Sequence, residues 1–383
     1  MHKIKKITCL KYEKCDFHGM HKFFSALKIN HKPQLVTIGG TNCKTSTAKK
    51  ISNLLNFNKI SNILFISPHL FEINERLEKN GSHISSIELD SLLQKVYEIS
   101  IKLKLSLNYH QIIFLSMCIY MNDNKPDYLI LEVSLGGRWD YANLFNTDIA
   151  ILTEVSLDHC EILGNTVEKI AFDKVHIART NKPILIKKKL PPSAYYYLKK
   201  IQARIIYIKE KFGNLSADYT WAVIKILKKK HPNLKICNNI FYKKIPGRFH
   251  IIKKNPLIIA DVAHNVSSAQ NFIKNVFFLN KKRKIYVIFV AEKRKNSNLI
   301  VKSIFKYVKH WFFPYINCIE NHFEEVFDKE LIFKYFNKKN YTNFQNFKTC
   351  QEKMINFVKK DDAIAIFGSF NLVRKALKYY EDL

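Results

Sequence analysis

Leu35-Val36-Thr37-Ile38-Gly39-Gly40-Thr41-Asn42-Cys43-Lys44-Thr45-Ser46-Thr47 sets a short apolar, β-branched run against a glycine-containing turn, then a lysine, then hydroxyl residues. That order reads as a buried strand feeding a loop that opens a helix. Such a loop suits a polyphosphate. Its N–H groups and the helix N-terminus face the anion, Lys44 reaches the outer phosphates, and a hydroxyl approaches Mg²⁺. Strict Walker spacing wants glycine at 38 and 43 and meets Ile38 and Cys43. Alone, the segment is equally compatible with an ordinary strand–helix turn.

The alternation continues outward from this loop. Leu35–Ile38, Ile63–Ile66, Tyr128–Val133, Ile149–Val155 and Ile205–Ile208 read as buried strands. Thr45–Leu55, Leu89–Leu105, His110–Tyr120 and Val167–Arg179 carry helical spacing. Strand–helix alternation predicts an α/β fold with a parallel sheet covered on both faces. A second series, Leu257–Ala260, Ile285–Val290 and Ala363–Phe367, follows the turn Ile245-Pro246-Gly247. The expected architecture is a P-loop-type parallel-sheet domain over 1–245 and a smaller Rossmann-like α/β domain over 246–383.

Composition narrows the function classes. Of 383 residues, 47% are hydrophobic and 25% charged, ordinary proportions for a globular chain and not for a disordered or collagenous one. The 63 Lys+Arg against 32 Asp+Glu leave a net charge of +31, which raises nucleic-acid binding as an alternative. Arginine stands only at 76, 138, 179, 204, 248, 283, 294 and 374, so 63 − 8 = 55 of the cations are lysines. Readers of nucleic acid favour the planar arginine fork. Abundant Lys, Ile, Asn, Phe and Tyr together instead mark A/T-rich coding, which adds lysine to solvated faces. The eight cysteines form no C-x-x-C pair and fit a reducing cytoplasm. Apolar stretches such as Ile112 to Met121 are too short for a membrane span, and the basic Met1–Leu10 has no apolar signal core.

Further motifs follow in order. They are Ser67-Pro68-His69-Leu70 with Asn74-Glu75-Arg76, Leu131-Glu132-Val133-Ser134-Leu135-Gly136-Gly137-Arg138-Trp139-Asp140 with Asn143, and Leu157-Asp158-His159. Then come Leu163-Gly164-Asn165-Thr166 leading to Lys174, Pro246-Gly247-Arg248, Asp261-Val262-Ala263-His264-Asn265, and Phe367-Gly368-Ser369-Phe370. From about residue 35 to 375 this resembles the folylpolyglutamate synthase/dihydrofolate synthase family of the Mur ligase superfamily. The residues alone place Ser67 and Glu132 just past the ends of two strands and His159 after a third, where an open parallel sheet forms its crevice. Glu132, in an otherwise apolar run, reads as a metal ligand because an unpaired buried carboxylate is costly.

The resemblance implies ATP and two Mg²⁺ ions, one on Ser67 and Glu132 and the other on Glu132 and His159. It implies a carbamylated Lys174, beside which His176 replaces a glycine. Gly40, Thr41, Asn42, Cys43, Lys44, Thr45 and Ser46 would hold phosphates, with Tyr219 near the adenine. Arg248, Asp261 and His264 would serve the nucleotide from the second domain, Arg248 stabilising phosphoryl transfer and Asp261 accepting from the ribose. Asn108, Tyr109, His110, Gln111, Trp139, Asp140 and Tyr141 would line the pterin pocket, and Asp140 could pair with pterin N–H groups. By the same resemblance Lys44, Lys174, His159 and Arg248 would form the catalytic set. The implied substrates are L-glutamate and dihydropteroate or a reduced folate. The residues themselves add the expectation of a monomer, since no heptad seam is present, and of no nucleic acid or membrane as partners.

Several positions depart from the family pattern. Cys43 replaces a glycine that, if φ must be positive, costs on the order of 1–2 kcal/mol as a residue with a Cβ. Gln111 stands for Glu, Tyr219 for Asn, Val262 and Val266 for Gly and Pro, and Arg294-Lys295-Asn296 for an acidic run. A catalytically weakened relic of the family is therefore an alternative. Another is a Mur ligase acting on a UDP-sugar peptide, disfavoured here because those enzymes carry an additional nucleotide-sugar domain.

Overall fold

A computed structural model describes residues 17–187, 189–279, 284–292, 295–316, 336, 340–354 and 356–381. The start Met1–Leu10, Cys9, Cys15, Cys318, Arg283 and Arg294 lie outside the described residues. The chain divides into two units, one of Met1–Ser156 with Cys160–Lys243 and one of Leu157–His159 with Lys244–Leu383.

The first unit is built on strands β1 (Gln34–Gly39), β2 (Asn62–Phe65), β3 (Leu77–Lys79), β4 (Ser82–His83), β5 (Tyr128–Glu132), β6 (Ile149–Leu152), β7 (Pro183–Ile186) and β8 (Arg204–Tyr207). Their order in the sheet is β4-β3-β2-β5-β1-β6-β7-β8. From β2 to β8 every pairing is parallel, while β3 and β4 add an antiparallel edge. The central strands are buried throughout, as near-continuous apolar runs demand of a sheet covered on both faces. Helices Ser86–Leu103 and Tyr109–Asn124 cover one face, and Lys44–Phe57 and Leu215–Leu227 the other. The apolar stretch Ile112–Met121 is the buried middle of Tyr109–Asn124, apolar on every side because it is enclosed on every side.

The second unit carries β9 (His250–Lys254), β10 (Leu257–Asp261), β11 (Ile285–Phe289), β12 (His310–Pro314), β13 (Tyr341–Phe344) and β14 (Ala363–Phe367) in the order β13-β12-β11-β14-β10-β9. Only β9 runs antiparallel. Helix Val266–Leu279 packs its buried Ala269, Phe272, Ile273 and Val276 onto this sheet.

Two expectations are corrected and one strand is added. The strand expected at Ile149–Val155 stops at Leu152, because Thr153–Ser156 turn to brace the loop after β1. The helix expected over Val167–Arg179 ends at Lys174 and tightens into a 3₁₀ turn that puts Val175 and Ile177 into the core. Strand β7 went unread; its opening proline is tolerated at a strand's first residue, and lysines at once follow its apolar run.

Candidate active site

In the first unit the parallel register carries several chain segments to the same side of the sheet. Ile38 of β1 pairs with Glu132 at the end of β5, Gly39 pairs with Leu152 of β6, and Phe65 of β2 pairs with Leu131. The carboxyl ends of β1, β2, β5 and β6 therefore open onto one crevice, the usual ligand position in such sheets.

The loop after β1 is fastened from below. Gly40 has φ +134°, and a Cβ there would lie 1.9 Å from Thr153 Oγ1, so only glycine fits. The Thr153 hydroxyl donates to the Asn42 carbonyl (2.6 Å), and the Thr41 N–H donates to the Glu154 carbonyl (2.5 Å). Asn42 Nδ2 donates to Glu154 Oε2 (3.4 Å), while Ser46, half-buried, opens the helix. Cys43 is the N-cap residue with φ 66° and ψ 5°, the left-handed conformation that the missing glycine would have taken without strain.

Charge converges on this loop. Lys44 Nζ donates to the carbonyls of Gly40 (3.2 Å) and Thr41 (3.4 Å), and Lys174 Nζ donates to the same Gly40 carbonyl (3.1 Å). Lys174 is 5% exposed. Gly137 explains its placement, since a Cβ there would come within 2.6 Å of the Lys174 carbonyl oxygen and 2.8 Å of its Cα. His176 turns away, stacked on Tyr197 (4.0 Å) with Nδ1 donating to the Phe172 carbonyl (2.7 Å).

Oxygen ligands lie beside the loop. The Thr45 hydroxyl donates to Glu132 Oε1 (3.1 Å), and the Ser67 and Ser134 hydroxyls share a hydrogen bond of 2.6 Å. Glu132, Thr45 and Ser67 are all buried. One carboxylate and two hydroxyls form a hard donor set that fits Mg²⁺, which is held by few protein oxygens and completes its octahedron with phosphate and water. Among the described residues no three His, Cys, Asp or Glu side chains gather as a self-sufficient metal cage.

Other expected ligands turn out to be braces. Asp140 accepts from the N–H groups of Ser134 (2.9 Å) and Leu135 (3.0 Å) through Oδ2 and of Ala142 (2.9 Å) through Oδ1. It pins the loop after β5. Burial pushes its pKa up, and those N–H groups and Lys44 pull against that. Asn108 and Gln111 form a capping box, Gln111 N–H to Asn108 Oδ1 (3.0 Å) and Asn108 N–H to Gln111 Oε1 (2.7 Å). Gln111 does there what glutamate would. Tyr219 is fully buried, its hydroxyl donating to the carbonyls of Leu152 (2.7 Å) and Thr153 (2.9 Å), so it cannot touch a base. Tyr141 is buried against Phe114. Tyr109, His110 beside it, and the exposed Trp139 under the Arg138 guanidinium keep accessible ring surface.

The second unit holds its own cluster. Asp158 Oδ1 accepts from Lys295 Nζ (2.5 Å) and from the His159 N–H (3.0 Å); Oδ2 faces Asn265 Nδ2 and His264 Nε2, each at 3.4 Å. His264 Nδ1 donates to the Val262 carbonyl (2.8 Å), which directs Nε2 at the carboxylate. Burial opposes ionisation of Asp158, yet the hydrogen bond and charge of His264, then Lys295 and His159, hold it well below the usual carboxylate range. His159 itself has φ 51°. Asp261 accepts from the Phe249 N–H (2.6 Å) and the Ala263 N–H (2.8 Å), with Arg248 beside it and over the Phe370 ring. Lys295 and Thr153 carried no sequence signal for these roles, because each acts only through a partner far away in the chain.

A parallel sheet, a loop of converging ammonium groups and an oxygen donor set suited to Mg²⁺ mark an α/β protein built for a nucleoside triphosphate. The chain belongs to the Mur ligase family: residues 38–252 match the Mur ligase middle domain and 247–370 the Mur ligase glutamate ligase domain. It is 29% identical over 388 aligned positions to a dihydrofolate synthase/folylpolyglutamate synthase of Buchnera aphidicola, covering 93% of this chain and 89% of that protein. With the Escherichia coli protein of the same description it shares 26% identity, covering 67% of each. Among solved structures, E. coli FolC in complex with DHPP and ADP superposes with a TM-score of 0.87 at 20% identity, covering 100% of this chain and 97% of that one. The Yersinia pestis bifunctional enzyme with AMPPNP and Mn gives 0.85 at 20% identity, covering 99% and 97%.

Proposed function

We infer that this chain is an ATP-dependent ligase that adds L-glutamate to the carboxylate of dihydropteroate or a reduced folate through an acyl phosphate. The observation that carries this reading is the meeting of Lys44 and Lys174 on the Gly40 carbonyl, beside Thr45 bonded to Glu132. Two ammonium groups on one loop need an anion of high charge, and a triphosphate supplies it.

In the reaction, the Lys44 amine exchanges its loop carbonyls for phosphate oxygens and offsets charge as the γ-phosphoryl group moves to the acceptor carboxylate. Glu132, with Ser67 and Thr45, would hold Mg²⁺, which would supply charge neutralisation on the phosphates. The amine of L-glutamate then attacks the activated carbonyl, forming the amide and releasing phosphate. This chain's residues contribute position and electrostatics and no covalent step of their own. A second ion with His159 and carbamylated Lys174 is the finer reading, as is nucleotide binding by Arg248, Asp261 and His264. Carbamylation predicts that bicarbonate restores activity lost on CO₂ depletion.

The test is ADP release by the purified chain. ADP should form only when ATP, Mg²⁺, L-glutamate and dihydropteroate or tetrahydrofolate are all present. Release that ignores glutamate would remove the ligase reading.

A further inference from the structure

Arg76 is 5% exposed, a rare situation for a guanidinium, and the reaction outlined above gives it no task. It lies in the segment that leaves β2. That segment is wound by Glu75, whose Oε2 accepts the Leu70 N–H (2.9 Å) and whose Oε1 accepts the N–H groups of Phe71 (2.7 Å) and Glu72 (2.8 Å). The Glu75 carboxylate thus shapes the turn and makes no hydrogen bond to Arg76. Arg76 Nε donates to His69 Nδ1 (2.9 Å), and its guanidinium carbon lies 5.2 Å from the Tyr109 ring centroid. Among the described residues its two Nη groups have no hydrogen-bond acceptor. Burial disfavours its charge, opposed only at longer range by Tyr109, Glu132 and Glu75.

A buried guanidinium anchored through Nε and stacked on a ring presents its Nη edge in a set orientation. That edge matches a carboxylate bidentately, which lysine cannot imitate. The neighbours say which carboxylate. Tyr109 offers an aromatic surface, and Ser67, in the same segment, is bonded to Ser134 two residues beyond Glu132. We propose that Arg76 is the specificity-determining residue for the acceptor, gripping the aryl-linked carboxylate that becomes the acyl phosphate while Tyr109 packs on the adjoining ring. The proposal rests on the ligase reading and adds to it the group that recognises the reacting carboxylate.

The test compares dihydropteroate with its carboxamide, binding each to the full chain without ATP or metal and following pterin fluorescence. The unmodified chain should favour the acid by about tenfold or more, the usual weight of a charge-assisted hydrogen-bond pair. Arg76→Gln should bind acid and amide equally and raise the acceptor KM, with the KM for ATP unmoved; Arg76→Lys should recover only part of the preference. Equal binding of acid and amide by the unmodified chain overturns the proposal, as does Arg76→Gln that keeps the preference. Should Arg76→Gln fail to fold, the unmodified chain and Arg76→Lys still decide, since full preference in Arg76→Lys also overturns it. Failure of the ligase reading looks different: no ADP from the unmodified chain with any pteroate or folate.

Discussion

Cys43 holds the phosphate loop in a left-handed conformation at φ 66°. A Cβ there costs on the order of 1–2 kcal/mol, less whatever glycine would lose in unfolded-chain entropy. Cys43→Gly should therefore keep the loop and tighten ATP binding by up to about fivefold, because the bound conformation becomes cheaper relative to relaxed alternatives. Cys43→Val, β-branched and poorly suited to that region, should weaken it. Titration calorimetry with a non-hydrolysable ATP analogue separates the two. Glu132→Ala removes the only carboxylate of the proposed ion site in the first unit, and glutamate-dependent ADP release should fall about a hundredfold or more. A melting curve close to that of the unmodified chain would assign the loss to chemistry and not to folding.

The loops after the strands are held by side chains that sequence reading took for ligands. Asp140 satisfies three backbone N–H groups of the loop after β5 while buried, so Asp140→Ala leaves all three without their acceptor. At about 1–3 kcal/mol for an unsatisfied buried group, the melting temperature should drop by several degrees, with Asp140→Asn losing less. Gly137 acts differently. Gly137→Ala drives a Cβ into the backbone of Asp173 and Lys174, so the end of the helix Val167–Lys174 must shift. Turnover and stability should both fall, because the clash is with backbone and the Lys174 amine moves relative to the Gly40 carbonyl. Circular dichroism melting alongside ADP release measures both. Periodicity had shown these helices and strands, but not which polar group would be used up bracing a loop. Asp140 and Gln111 carry the same chemistry whether they face a ligand or a neighbouring N–H.

Across the molecule, the +31 charge is mostly a property of the surface: among the described residues only Lys50, Lys174 and Lys295 are buried lysines. Two of these three, with Arg76, sit in the candidate sites. In the second unit, Asp158 ties Lys295, His264 and Asn265 together, and its sign with pH is definite. A carboxyl held below its ordinary range adds stability that is present above that range and lost as pH falls through it and below. Asp140 and Asp261, raised chiefly by burial, tilt the other way. Asp158→Asn should thus lower the melting temperature at neutral pH and flatten its fall between about pH 5 and 3. An unchanged acid slope would show that Asp158 is not the group being titrated. The α/β alternation, the strands at the middle of each sheet and the glycine turn between β1 and its helix were legible in the residues, since apolar period and turn chemistry are local. The crossing of Lys44 and Lys174 on one carbonyl, the half-anchored Arg76 and the bracing roles of Asp140 and Tyr219 were not. Lys174 and Tyr219 reach backbone carbonyls far away in the chain, while Asp140 and Arg76 bond near neighbours and depend on which way the surrounding packing turns their side chains; only the packed sheet sets those distances and directions.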